Sequence, residues 1–247
     1  MNPTILSTRN LQKSYRTGHT PDGQPNRAVA LAGVDLDLRG GESVAIMGAS
    51  GSGKTTLLHC LAGIITPDAG EVTFHGPAGH QTISALRESE RSKLRRESFG
   101  FVFQQGLLLP ELTALENVAL ALMLNGSKRE LAEGYAARWL GALGLSGMEQ
   151  RRIGELSGGQ AQRVAIARAQ VTGASVIFAD EPTGALDSRT SAEVMSALLD
   201  STVGMGKTLI VVTHDPSVAQ RCGRLVELHD GRIVRDSAPI QAQAAVR

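Results

Sequence analysis

The chain has 247 residues, with 25 Lys+Arg against 24 Asp+Glu and a formal charge of +1. That length can bury a full core, as one large domain or one with a smaller inserted lobe. The balanced charge excludes a sequence-wide basic field of the kind that holds nucleic acid by electrostatics alone.

The start, MNPTILSTRN, lacks a basic stretch followed by an apolar run and a small-residue cleavage site, so no export signal is expected. Residues 16–27, RTGHTPDGQPNR, are rich in Gly, Pro and polar side chains and read as an exposed loop between the first two strands. Next, AVALAGVDLDL and EVTFHG alternate in the manner of antiparallel strands. ESVAIMG, FGFVFQ, SVIFAD and TLIVVTHD are near-continuous apolar runs of strand length, the pattern of parallel strands buried on both faces, and helices are expected between them.

One such helix is GKTTLLHCLAGI, whose stripe of Leu57, Leu58, Leu61, Ile64 and Ile65 ends near Pro67. Residues 106–155 carry two amphipathic patterns, LTALENVALALML and SKRELAEGYAARWLGALGL, with no strand between them. They read as a small helical lobe inserted into an α/β core made of 1–105 and 156–235. Glu116 and Asn117 break the most apolar of these stretches, so no membrane span is expected. The chain is expected to be soluble and to reach a membrane only through a partner. VELHDGRIVRD reads as a hairpin turning at Asp230 and Gly231, and 236–247 as a frayed tail. Cys60 and Cys222 lack the spacing of a zinc or disulfide site and read as packing residues of a reducing compartment.

The chemistry concentrates at strand ends. GASGSGKTT, comprising Gly48, Ala49, Ser50, Gly51, Ser52, Gly53, Lys54, Thr55 and Thr56, lies between an expected strand and an expected helix, the context a P-loop requires. Its glycines let successive amides turn inward, and the helix start adds its positive dipole end. Lys54 reaches β/γ-phosphates, and Thr55 offers a hydroxyl to Mg²⁺. SVIFADEPTGALD ends a buried strand in Asp180 and Glu181, at the sheet edge where such folds bind ligands. Asp180 is placed for the magnesium shell and Glu181 for the attacking water, although Asp-Glu-Pro by itself also reads as a turn that stops a strand. His214 after TLIVV and Gln104 after FVF end strands at the same sheet edge, where Gln104 is placed for both Mg²⁺ and water. ELSGGQ sets Ser157, Gly158, Gly159 and Gln160 before a helical run, a second helix start built for phosphate.

GASGSGKTT, Gln104, LSGGQ, FADEPTGALD and VVTHD, in that order across essentially the whole chain, resemble the ATP-binding-cassette ATPases. The resemblance implies an α/β P-loop fold with a mostly parallel core sheet, an antiparallel β subdomain and an inserted helical lobe. It implies ATP and Mg²⁺ as ligands and a head-to-tail homodimer. In such a dimer the Ser157–Gln160 turn of one copy closes over ATP held by the other. It matches Tyr15 to the adenine-stacking aromatic, Asp187 to the acid that communicates between copies, and Glu181 and His214 to the water-orienting glutamate and the γ-phosphate switch. Ile153, Ala161 and Gln170 depart from the usual pattern and bear on the packing of the signature helix rather than on its chemistry.

LRRESFGFVFQQGLLLPELTALENV and VTHDPSVAQRCGRLVELHDGRIV resemble the ATPases of macrolide-export, lipoprotein-release and cell-division permeases. The expectation is therefore an ATPase at the inner face of the membrane, docked on a separate permease through the helical lobe and GLLLPELTA, for export or mechanotransmission. The other readings are an amino-acid importer ATPase, a regulator of cell-wall enzymes, or a cassette acting on nucleic acid. The last is disfavoured by the single cassette and balanced charge.

Overall fold

The computed structural model describes residues 2–19, 25–76, 79–104 and 106–237. Two long strands, β1 (Thr4–His19) and β2 (Pro25–Arg39), open the chain, followed by β3 (Ser43–Met47) and α1 (Lys54–Leu61). Then come β4 (Ala69–Gly76), β5 (Gly79–Thr82), α2 (Glu88–Ser98), β6 (Phe99–Phe103), α3 (Ala114–Met123), α4 (Arg129–Ala142) and α5 (Gly158–Gln170). β7 (Val176–Asp180), α6 (Ser188–Thr202), β8 (Thr208–Val212), α7 (Pro216–Ala219), β9 (Arg224–His229) and β10 (Arg232–Asp236) complete the order.

The strands form a six-stranded sheet, β10-β9-β3-β8-β7-β6, and a four-stranded sheet, β2-β1-β4-β5. Every pairing in the first is parallel except β9 with β10, and every pairing in the second is antiparallel. The four apolar runs become β3, β8 and β7 in the body of the sheet and β6 at its edge, each carrying buried side chains to both faces. Val176 and Phe178, Ile210 and Val212 face the cluster shared with α1 and the antiparallel sheet. Ile177, Ala179, Leu209 and Val211 face the cluster shared with α3 to α6. Phe74 on β4 meets Phe99 edge-on at 5.1 Å, and Phe99 meets Phe178 at 5.2 Å, which locks the two sheets together.

Several expectations change. In the segment read as an exposed loop, 16–27, the described residues are strand: Arg16 faces Arg27, Gly18 faces Asn26, and His19 faces Pro25. Main-chain ladders need no apolar side chains, and a proline is tolerated as the first residue of a strand. Residues 20–24 lie outside the described residues. The expected tail is anchored at its start, since Asp236 ends β10 and pairs with Arg224 at 2.7 Å, while the Ser237 hydroxyl accepts the Leu225 amide at 2.8 Å. Residues 238–247 lie outside the described residues.

Helix α2 has no counterpart in the sequence reading. It buries only Leu94 and is held by polar contacts instead: Glu88 pairs with Arg91 and with Arg95, both at 2.6 Å, and Arg95 donates to the Gly63 carbonyl at 2.6 Å. Helices α3 and α4 form as expected, with no strand between them, and their apolar faces join the cluster on the sheet rather than closing a core of their own. Both cysteines pack: burial pushes the Cys60 thiol up to about 11 and that of Cys222 to about 12.

Candidate functional site: a phosphate cradle and a second helix start

The loop between β3 and α1 encloses a cleft of about 690 Å³ lined by Ser50, Gly51, Gly53, Lys54, Thr55 and Thr56, with Tyr15, Ala28, Val29 and Ala30 as one wall and Glu181 and His214 opposite. Helix α1 starts at Gly53 with no side-chain cap and no acid in its first turn, so its leading amides are left for an anion. Gly53 sits at φ 101, and a Cβ there would collide with the Ala30 carbonyl, so only glycine lets the cradle close against β2. Lys54 is 8% exposed and donates to the carbonyls of Gly48 and Ala49, both at 2.9 Å, which holds the ammonium at the loop. Ser52 Oγ is buried with no hydrogen-bond partner, an orphan polar atom of the kind a phosphate oxygen would satisfy.

On the sheet edge, Thr55 Oγ1 lies 3.5 Å from Asp180 Oδ1. Burial raises the Asp180 carboxyl and the neighbouring Glu181 charge adds to this, while His59 on α1 and the Thr55 hydroxyl act against it. Burial likewise lowers His59, with Asp180 opposing. A hydroxyl and a carboxylate at this spacing suit a hard, oxygen-seeking cation. Among the described residues no three His, Cys, Asp or Glu side chains cluster as a metal cage, so such an ion would draw its remaining ligands from phosphate and water.

Glu181 holds φ 48, a left-handed conformation that is costly for a residue with a side chain and typical of functional sites. Its Oε1 lies 2.8 Å from His214 Nδ1, and its Oε2 accepts from Thr213 Oγ1 at 3.4 Å. Strands β7 and β8 are adjacent and parallel, which is why acid and imidazole meet although 33 residues separate them. Tyr15 is 39% exposed in the cleft wall, with its hydroxyl 3.4 Å from Thr56 Oγ1. Gln104 is exposed at the end of β6, packed on Gly184, and is not among the residues lining the cleft.

The second helix start stands elsewhere. Ser157 caps α5 in a reciprocal box, its hydroxyl accepting the Gln160 amide at 3.3 Å while Gln160 Oε1 accepts the Ser157 amide at 2.9 Å. A hydroxyl that accepts in a cap keeps its own proton to donate. Ser157 and Gly158 are exposed, and no residue of 157–160 lines the cleft.

Asp187 caps α6, accepting the Arg189 amide at 3.1 Å, the Thr190 amide at 3.0 Å and the Thr190 hydroxyl at 2.7 Å. These bonds, led by those from Thr190, hold its carboxyl below the usual range. Gly159 is buried, and a Cβ there would collide with Thr190 Cγ2. Besides its place in a helix start built for phosphate, this glycine therefore seats α5 on α6. Gly159→Ala is therefore expected to cost about 1–3 kcal/mol by overpacking. In a chain of this size that is roughly 2–4 °C of melting temperature per kcal/mol. A thermal melt equal to the parent's would show that Thr190 yields freely.

Asn117, 1% exposed on α3, was visible in the sequence only as a break in an apolar run. Its side chain accepts the Leu109 amide at 2.7 Å and donates to the carbonyls of Leu109, Leu112 and Thr113, so it shapes the 109–113 turn.

A strand–loop–helix cradle at the edge of a parallel sheet, with a lysine in the loop and a carboxylate on the adjoining strand end, defines a P-loop nucleotide-binding domain. The ABC transporter family model matches residues 31–184. The chain belongs to that family. It is 46% identical over 235 residues to the macrolide export ATP-binding/permease protein MacB of Nitrosomonas europaea, covering 95% of this chain and 34% of that protein. It thus spans about a third of the length of the first curated relatives it matches. The lipoprotein-releasing system ATP-binding protein LolD of Xanthomonas campestris pv. campestris is 42% identical, with 95% of this chain and 94% of that protein covered. A solved dimeric ATP-binding cassette in a post-hydrolysis state, bound to ADP and Pi, superposes with a TM-score of 0.83 at 38% identity, covering 94% of this chain and 98% of that one. The α/β cassette fold expected from the motifs is the fold found.

Proposed function

We propose that the chain is the ATP-binding and ATP-hydrolysing subunit of an ABC transporter, closing head to tail with a second copy around ATP and driving a separate membrane permease in export or mechanotransmission. The observation that carries this reading is the separation of the two helix starts: Lys54 and its cradle line a cleft to which Ser157–Gln160 contribute nothing. A turn capped, exposed and furnished with a spare hydroxyl proton has its use on a neighbour.

In this reading Gly48 to Thr56 hold the phosphates, Tyr15 stacks on adenine, Thr55 and Asp180 would hold Mg²⁺, and Gln104, which does not line the cleft as it stands, would have to turn toward it to join them. When bound, the ion spreads the charge developing on the γ-phosphoryl group. Glu181 orients the attacking water for in-line displacement, His214 contacts the γ-phosphate, and the bond to the β–γ bridging oxygen breaks to release ADP and phosphate. Asp187, at the start of α6, communicates between copies. Residues 1–105 and 156–235 act as the catalytic core and 106–155 as the helical lobe that meets the permease. Among the described residues no helix is long and apolar enough to cross a membrane, so a permease supplies the attachment to the cytoplasmic face. The near-complete match to a protein named as an ATP-binding component supports the separate permease. The charge balance supports no role for nucleic acid.

At saturating ATP, turnover per chain is expected to rise with chain concentration and to fade on dilution, because each active site needs a second copy. Turnover per chain that holds constant over a roughly hundredfold dilution contradicts the seam.

The docking stretch is narrower than GLLLPELTA implies, since Leu107 and Leu109 are 60% and 44% exposed while Leu108 packs against the core. Replacing Leu107 and Leu109 by Ala is expected to abolish co-purification of the permease and to leave nucleotide affinity at the parent's value. A permease captured as well by the double variant removes the docking site.

A further inference from the structure

Helix α5 does more than present Ser157–Gln160 at its first turn. One turn further on, Gln162 is 4% exposed, and its Nε2 donates to the Phe103 carbonyl at 2.9 Å, at the last residue of β6. In its last turn, Arg168 donates from Nη2 to the Gly106 carbonyl at 2.6 Å and from Nη1 to the Leu107 carbonyl at 2.7 Å. The same helix thus grips the chain on both sides of Gln104.

The Arg168 grip is built for its place. Gly106 and Leu107 take φ 66 and φ 46, two successive left-handed residues that turn both carbonyls toward the guanidinium. For a leucine that conformation is costly, so it persists only where the surroundings hold it. Arg168 is half-buried and makes no ion pair with a carboxylate among the described residues; burial alone pulls its pKa down. Placing a desolvated cation on two main-chain carbonyls is expensive unless the fork geometry is filled, which a guanidinium achieves and an ammonium does not. Beyond the grip, Leu107 and Leu109 stand exposed, and the turn after them is fixed by Asn117. The stretch proposed for the permease is therefore fastened to the signature helix by one side chain and to α3 by another.

We propose that Arg168 is the positioning residue that couples the Leu107–Leu109 stretch to the Ser157–Gln160 turn, so that closing the nucleotide seam and loading the exposed leucines bias one another. The proposal rests on the seam reading above. A load on Leu107 pulls on the two carbonyls held by Arg168 and so on α5. By linkage, closure of the α5 start on a neighbouring copy changes the affinity of the leucine stretch for whatever docks there by the same factor.

The test uses the full chain carrying Glu181→Gln, with and without Mg-ATP, and follows backbone hydrogen exchange in peptides spanning 106–112. ATP is expected to slow exchange there by about tenfold, although no residue of the segment lines the cleft. With Arg168→Met added, which keeps much of the stem and removes every donor, the dimer and the nucleotide affinity are expected to persist while the ATP-induced slowing drops below about twofold. Arg168→Lys, able to serve one carbonyl at a time, is expected to fall between and guards against a variant that fails to fold. An ATP-dependent slowing of the same size in folded Arg168→Met and Arg168→Lys chains overturns the coupling while leaving the seam intact. Absence of an ATP-dependent dimer in Glu181→Gln itself overturns the seam, and the coupling with it.

Discussion

Glu181→Gln is expected to bind ATP as the parent does, to run as a dimer on size exclusion when Mg-ATP is present, and to turn over about 10²–10⁴ times more slowly. The carboxylate is held between His214 Nδ1 at 2.8 Å and Thr213 Oγ1 at 3.4 Å, and its backbone is fixed in the left-handed region by the Glu181 amide donating to the Val212 carbonyl at 2.9 Å. An amide of the same shape keeps one oxygen acceptor and the same rotamer, so the cleft and the phosphate cradle stay as they are. It loses the basicity that draws a proton from water during attack. In the proposed seam, binding and closure depend on Lys54, the α1 amides and the Ser157–Gln160 turn of a second copy, none of which the change touches. Closure therefore proceeds, hydrolysis does not release it, and the closed dimer accumulates. A Glu181→Gln chain that stays monomeric in ATP and hydrolyses at the parent's rate contradicts both the role of the carboxylate and the seam.

What was legible beforehand follows the range of the physical cause. Strands β3 and β8 stand out because burial on both faces leaves no polar position in Val44–Ile46 or Leu209–Val212. The Ser157 cap is legible because its partner, Gln160, is three residues away. The meeting of Glu181 and His214 follows once two parallel strands are taken as neighbours, since both side chains leave the same sheet edge.

Other features depend on partners that no local window contains. Gln170 reads as an anomaly in an apolar helix end. In the fold it is 1% exposed and satisfied by Thr202 Oγ1 at 2.7 Å and Lys207 Nζ at 2.7 Å, from residues more than 30 positions on. Arg168 and its carbonyls are some sixty residues apart, and α2 escaped notice because a helix that buries only Leu94 has no apolar stripe to show. The pairing of 16–19 with 25–27 is hidden for a related reason: a main-chain ladder leaves no trace in side-chain polarity.

Lys54→Ala is expected to weaken ATP binding by about 10–150-fold, the worth of a hydrogen bond to a charged group at about 1.5–3 kcal/mol. The lysine is nearly sealed, and its ammonium sits at the mouth of the cradle on two carbonyls of its own loop. Truncation therefore removes both the positive charge that meets the phosphates and the tie that holds Gly48 and Ala49 in place. Both losses act on nucleotide affinity, and neither reaches the Ser157 cap or the Glu181–His214 pair. Two readouts separate this from a general loss of fold. In the parent, ATP at about a hundred times its dissociation constant adds about 2.7 kcal/mol to stability, a shift of roughly 5–11 °C for a domain of this size. In Lys54→Ala at the same ATP concentration that shift is expected to shrink to between about a half and a tenth, while the melt without ATP moves far less. The second readout is the order of events. Closure needs nucleotide already in the cradle, so Lys54→Ala combined with Glu181→Gln is expected to behave as Lys54→Ala alone and remain monomeric at ATP concentrations that dimerise Glu181→Gln. A double variant that still dimerises would mean that the second helix start closes on something other than nucleotide held by Lys54.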